Sequence, residues 1–167
     1  MAPKVLVIMG SGSDMDSVKQ TIEILEDFGV EVRREVASAH RSPERTGRLV
    51  MEAEGEGIEV IIAAAGYAAH LAGFAASHTT LPVIGIPLDL SPLSGLDALL
   101  SSVMMPAGIP VAVVTVGETG SKNAAYLALS ILSIKYEEIK RALVSFRKKL
   151  EMDVIDSSRA LHDQNKP

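Results

Sequence analysis

Three short runs in this chain combine residue types able to bind a ligand and move a proton. Gly10-Ser11-Gly12-Ser13-Asp14 follows an apolar run and stands where a helix should begin. Its glycines let backbone approach a ligand, Ser11 and Ser13 add hydroxyls, and the coming helix would aim unpaired amides at an anion. Asp14 is placed to cap that helix or to accept from a sugar hydroxyl. Met15 occupies the third-glycine position of a dinucleotide fingerprint, and no Gly-Lys-Ser/Thr follows, so neither nucleotide motif is present. A capped turn without a ligand explains this run equally well by itself. Ser38-Ala39-His40-Arg41-Ser42-Pro43 is similarly placed. His40 offers an imidazole, the usual proton carrier near neutral pH. Arg41 offers a guanidinium that grips phosphate or carboxylate with two N–H groups. In isolation, a solvated His-Arg pair at a helix start is the plainer account.

The third run is Gly66-Tyr67-Ala68-Ala69-His70-Leu71-Ala72-Gly73. Its small residues leave room for a flat ligand, and His70 is expected in the first turn of a helix over 68–78. A core or interface histidine is the simpler alternative. His78 at a helix end, His162 in a polar tail and the Lys148-Lys149 pair read as structural or solvated. Ser94-Gly95-Leu96-Asp97 and Met105-Pro106-Ala107-Gly108 read as cap and turn chemistry, with a ligand contact as the alternative.

These runs need elements to hold them. Val5–Met9 is a β-branched-rich run ending at Gly10, the pattern of a buried parallel strand. Val18, Ile22, Leu25 and Phe28 recur at helical spacing, which predicts a helix over 14–28 stopped by Gly29. Strands are expected at 31–37, 59–66, 82–87 and 110–117. Helices are expected from Pro43 to about 55–57, over 95–105 and over 121–134. Ser42 and Pro43 form a helix-start signal. Strand 31–37 is the most polar and so belongs near an edge. A last helix from Tyr136 carries an apolar face of Ile139, Leu143, Phe146, Leu150 and Val154. Residues 156–167 lack that pattern and are expected to fray.

Strands alternating with helices imply an α/β three-layer sandwich around a five-stranded parallel sheet. The flavodoxin-like order 2-1-3-4-5, with an added C-terminal helix, brings the loops at Gly10, Ser38 and Gly66 to one sheet edge, where ligands bind in open α/β folds. One catalytic domain spanning residues 1–167 is expected.

Composition narrows the function. Hydrophobic residues make up 47% and charged residues 22% of the 167, enough for a full core. Cysteine is absent, which removes disulfides, thiolate nucleophiles and cysteine metal sites. The four histidines form no His-Glu-x-x-His pattern, so no metal is expected. A net charge of −5 argues against nucleic acid as a partner. The run Val5–Met9 is too short for a signal core or a membrane span, so a soluble cytoplasmic protein with no membrane partner is expected.

Taken together and in order, the motifs resemble those of the N5-carboxyaminoimidazole ribonucleotide mutases, the class I form of the purine-pathway carboxylase family. They are G-S-G-S-D at 10–14, S-A-H-R-S-P at 38–43, A-G-Y-A-A-H-L-A-G at 65–73, L-S-G-L-D-A-L at 93–99, M-P-A-G-I-P-V at 105–111 and N-A-A at 123–125. The resemblance implies a cofactor-free isomerisation of N5-carboxyaminoimidazole ribonucleotide to 4-carboxyaminoimidazole ribonucleotide within de novo purine biosynthesis, with CO2 released, trapped and recaptured by the ring. It further implies that Ser11, Ser13 and Asp14 hold phosphate and ribose with Arg41, that His40 is the acid/base, and that Gly66, Ala68, His70 and Leu71 line the base and CO2 pocket beside Ser38 and Ala39. A homo-octamer with sites at subunit contacts is implied too. Tyr67 departs from a position often glycine in the family, and Ala72 from one often proline. Class II relatives, which carboxylate aminoimidazole ribonucleotide with CO2 directly, typically carry G-R-S-N where this chain has G-Y-A-A-H. A non-enzymatic flavodoxin-like module for FMN or another phosphate ligand is the more distant alternative, disfavoured for flavin by an aromatic content of 4%.

Overall fold

The computed structural model describes residues 2–163. Five strands, β1 (Lys4–Met9), β2 (Glu31–Val36), β3 (Val60–Ala65), β4 (Val83–Pro87) and β5 (Ala112–Val113), form one sheet in the order β2-β1-β3-β4-β5. Every pairing is parallel, as the alternation of strand and helix requires. The helices are α1 (Met15–Asp27), α2 (Pro43–Ala53), α3 (Leu71–Ala76), α4 (Leu96–Val103), α5 (Gly117–Leu132) and α6 (Glu137–Asp163).

Alternate residues of a strand face opposite sides, and β1 shows both. Val5, Val7 and Met9 enter one core with Val18, Ile22 and Leu25 of α1, Ala124, Ala128 and Leu129 of α5 and Ile139 of α6. Leu6 and Ile8 enter the other with Leu49, Val50 and Ala53 of α2 and Leu71, Ala72 and Ala75 of α3. All of β1 beyond Lys4 is therefore buried, and each large aliphatic side chain there contributes about 1.5–3 kcal/mol by leaving water. The Ala-rich face of α5 permits close approach to α1, where Thr21 Oγ1 donates to the Ser121 carbonyl at 2.8 Å in a buried contact. β2 lies at the edge, with Arg33 bonded to Glu35 and Glu56, and Arg45 bonded to Glu35 at 2.8 Å. Such charges discourage pairing with another edge.

Register brings the strand ends level. Met9 lies beside Val36 on one side and Ala64 on the other, and Ala65 lies beside Pro87. The Ala37 amide donates to Met9 O at 2.9 Å, and the Gly10 amide to Ala64 O at 3.2 Å. The loops after β1, β2 and β3 thus leave the sheet at one height.

Several boundaries differ from the sequence expectation. β5 is two residues long rather than spanning 110–117, since only Ala112 and Val113 pair with β4, at Ile84 and Gly85, and α5 runs over Gly117–Leu132 rather than 121–134. Gly117 and Gly120 let that helix start close against its neighbours: a Cβ on Gly117 would meet the Asp89 carboxylate at 3.1 Å, and one on Gly120 would overlap the Thr115 carbonyl. Helix α3 covers only 71–76, not 68–78, so His70 stands at its N-cap position rather than inside its first turn. α1 starts at Met15 because Gly12–Asp14 forms a 3-10 turn. The chain continues helical past residue 156 as far as Asp163. α6 is one 27-residue helix, about 40 Å long at 1.5 Å per residue, while 164–167 lie outside the described residues. No described helix is long and apolar enough to cross a membrane.

Candidate active site

The loop after β1 is shaped by its own side chains. Ser11 is the N-cap of the 3-10 turn and accepts from the Ser13 amide at 3.4 Å. Asp14 returns the contact, accepting from the Ser11 amide at 3.0 Å. This reciprocal capping box satisfies amides that would otherwise be orphaned. Asp14 is buried, and its second oxygen accepts from Ser13 Oγ at 3.3 Å. Ser13 Oγ also lies 3.0 Å from Ser11 Oγ. The capping role expected of Asp14 is therefore exercised on the 3-10 turn, not on α1, which makes no side-chain bond to it.

The loop after β2 crosses toward the first. The Arg41 guanidinium donates through Nη2 to the Gly10 carbonyl at 2.6 Å and lies with Nε 3.5 Å from Ser38 Oγ. It ties the two loops together and lines the same cavity as Ser11 and Ser13. Ser42, expected as the cap of α2, makes no capping bond to that helix.

The loop after β3 completes the arrangement. His40 Nε2 and His70 Nδ1 are 2.8 Å apart, with the rings edge to face at a centroid separation of 4.9 Å. An N–H···N bond needs one protonated and one bare nitrogen, so this contact survives with the pair neutral or carrying one extra proton, and is lost with two. Both rings reach solvent on the exposed edge of the chain. Gly66 packs against Leu90, where an added Cβ would sit 3.2 Å from the Leu90 Cβ. Tyr67 adopts φ 53°, a left-handed conformation that costs a residue with a Cβ about 1–2 kcal/mol. The Tyr67 side chain is 58% exposed and points away from the core.

The three loops border an open cavity of about 500 Å3. It is lined by Ser11, Ser13, Asp14, Ser38, Ala39, His40, Arg41, Gly66, Ala68, His70 and Leu71, so every residue singled out from the sequence as a site candidate meets the same space. Gly10, Ala65, Tyr67 and Leu90 also line it. Leu90 is the residue that sequence reasoning missed. The only signal for it was topological: it follows β4, the neighbour of β3, at the same sheet edge.

The other sequence motifs hold the scaffold and do not reach the cavity. Gly95 takes φ 82° at the start of α4 and is pressed against Val116. Ser91 Oγ donates to Asp97 at 2.7 Å. Gly73 of α3 faces Met105, whose sulfur would lie 2.8 Å from an added Cβ. Asn123 Nδ2 lies 3.4 Å from Thr115 Oγ1. His78 stacks on Phe74 at 4.3 Å and donates through Nδ1 to the Phe74 carbonyl at 2.8 Å, closing the end of α3.

With this geometry in view, comparison with known proteins is decisive about kinship. The family model described as AIR carboxylase matches residues 4–153. The N5-carboxyaminoimidazole ribonucleotide mutase of Pyrococcus abyssi is 56% identical over 149 residues, covering 89% of this chain and 84% of the relative. The protein of the same name from Pseudomonas aeruginosa is 47% identical over 157 residues, covering 94% and 96%. The crystal structure of Treponema denticola PurE superposes with a TM-score of 0.87 at 31% identity, covering 95% of this chain and 98% of that one. On a match that runs through all five strands and every loop of the cavity, the chain belongs to the AIR carboxylase family.

Proposed function

We propose that this chain is an N5-carboxyaminoimidazole ribonucleotide mutase acting in purine biosynthesis, the isomerase its relatives are named for. The observation that carries the site assignment is the His40–His70 pair, held at 2.8 Å over the same cavity as the serine turn and Arg41.

The residues suit a reaction that moves a carboxylate within one molecule. Ser11, Ser13 and the amides of the 3-10 turn take the 5′-phosphate, with Arg41 contributing positive charge from the facing loop. Asp14 and the serine hydroxyls lie where a ribose would follow. These contacts are remote from the reacting ring, so their binding energy positions it. Gly66, Ala68 and Leu71 give a flat, small-residue wall for the imidazole, with Ser38 and Ala39 opposite.

The chemistry needs one proton delivered and one removed. Breaking the N–CO2 bond of the carbamate leaves its electron pair on nitrogen, which takes a proton from His40, and CO2 is freed. The ring carbon then attacks CO2, forming the new C–C bond, and loses its proton to a base, which restores the aromatic ring. The proton count balances, and two hydrogen-bonded imidazoles can supply both transfers without a net change. No step requires a redox partner or a metal ion.

Keeping CO2 beside the ring requires that the cavity be closed to water. In a single chain it is open; Leu90 of its wall is exposed, as are Leu93, Leu96 and Leu100 further along the chain. These exposed apolar side chains support assembly of copies, and a homo-octamer with sites at subunit contacts is the assembly proposed. A cytoplasmic location accords with purine synthesis. The test is direct: purified protein should interconvert the two carboxylated isomers without ATP, added metal or bicarbonate. Turnover only with aminoimidazole ribonucleotide and CO2 would assign the class II reaction instead.

A further inference from the structure

We propose that Ser42 and Thr46 are positioning residues whose hydroxyls clamp the Ser38 peptide and thereby aim His40. The inference rests on the mutase reading of the site.

The strand preceding His40 ends its sheet pairing at Ala37, whose amide donates to Met9 O at 2.9 Å. Beyond that bond, Ser38 is fixed at every polar group it has. Its amide donates to Ser42 Oγ at 3.3 Å. Its carbonyl accepts from the Ser42 amide at 3.1 Å, from Ser42 Oγ at 3.3 Å and from Thr46 Oγ1 at 3.2 Å. Its own hydroxyl accepts from the Arg41 amide at 3.1 Å. His40 follows two residues later, with its ring meeting His70 at 2.8 Å, while Arg41 is anchored separately to the Gly10 carbonyl; the clamp therefore sets the backbone from which His40 reaches the cavity.

Two features set this apart from ordinary helix chemistry. Ser42 occupies the N-cap position of α2, yet its side chain makes no bond to the first turn. A serine there usually stabilises its helix by about 1 kcal/mol; here the hydroxyl turns back to the loop. Thr46 is fully buried, so its hydroxyl cannot find water. It shares one hydrogen between Ser42 O at 2.9 Å and Ser38 O at 3.2 Å. A threonine serving only its own helix would make the first contact alone. Shared, the bond ties the loop entrance to the first turn of a rigid helix, the kind of support a proton-transfer group needs to hold its aim.

The experiment measures kcat and KM for isomer interconversion with T46V, T46S and S42A, alongside the wild type. T46V keeps the branched shape and loses only the hydroxyl; T46S keeps the hydroxyl. The expected result is a roughly 10- to 100-fold loss of kcat in T46V and S42A, with KM close to wild type because Ser11, Ser13 and the turn amides still hold the phosphate. T46S should restore most of the rate. Wild-type kcat in a folded T46V, or a T46S as impaired as T46V, overturns the clamp; if T46V fails to fold, the kcat of S42A decides in the same way. A wild type inactive on both isomers overturns the mutase reading and the clamp with it, whereas an active wild type with unchanged variants overturns the clamp alone.

Discussion

Replacing His40 by Asn separates proton transfer from binding. Asn is polar and of similar reach, so it retains a contact with His70, but it carries no titrating nitrogen. In the fold, the His40 ring contributes a single side-chain hydrogen bond, to His70, and one edge-to-face contact at an exposed edge. Losing these should cost at most about 1 kcal/mol of stability, a shift of roughly 2–4 °C in Tm for a chain of this size. The phosphate contacts proposed above use other residues, and Arg41 is anchored independently to the Gly10 carbonyl at 2.6 Å. Turnover, by contrast, should fall about 10²–10⁴-fold, the usual contribution of a placed acid/base, equivalent to roughly 3–5 kcal/mol of barrier. The assay follows interconversion of the two carboxylated isomers by H40N, with product binding measured by calorimetry on the same preparation. Near-normal turnover would remove His40 from the chemistry. A loss of binding as large as the loss of rate would make it a ligand-holding group instead.

Gly120→Ala should destabilise the fold by about 3 kcal/mol or more, because its Cβ would overlap the Thr115 carbonyl; urea unfolding midpoints check this, and a wild-type midpoint refutes the close packing of α5. Glu35 is held below the usual carboxylate range, first by its hydrogen bond from Arg33 and then, against desolvation, by Arg45. Its ionised form is therefore favoured by folding, so its contribution is present above the unfolded-state pKa and is lost as pH falls through the lower, folded one. Glu35→Gln should accordingly be less stable than wild type at pH 7, with the gap closing in acid; a gap independent of pH between 7 and 3 would refute the assignment.

Much of this molecule is written in local pattern. The β-branched run at 5–9, the helical spacing of Val18, Ile22 and Leu25, and the glycine stop at 29 depend on neighbours a few residues away, and the elements formed where those signals stand. The polar character of 31–36 placed β2 at the edge, since an edge strand has one side to solvent. Strand order followed from short right-handed crossovers, and with it the meeting of the Gly10, Ser38 and Gly66 loops. The candidate residues were legible for the same reason: each lies just past a strand end on one side of the sheet.

Tertiary structure decided what no short window contains. That His40 and His70, 30 residues apart, touch at 2.8 Å depends on the level register of β1 with β2 and β3. Arg41 reaching the Gly10 carbonyl and Leu90 entering the wall likewise require neighbours brought together by the sheet. The left-handed Tyr67 and the shortened β5 run against local preference, because a backbone held at both ends by packed strands and helices takes the conformation the closure demands. The type of each element could be read from the periodicity of its own residues, whereas the distances that make a site arise only when distant segments pack against one another.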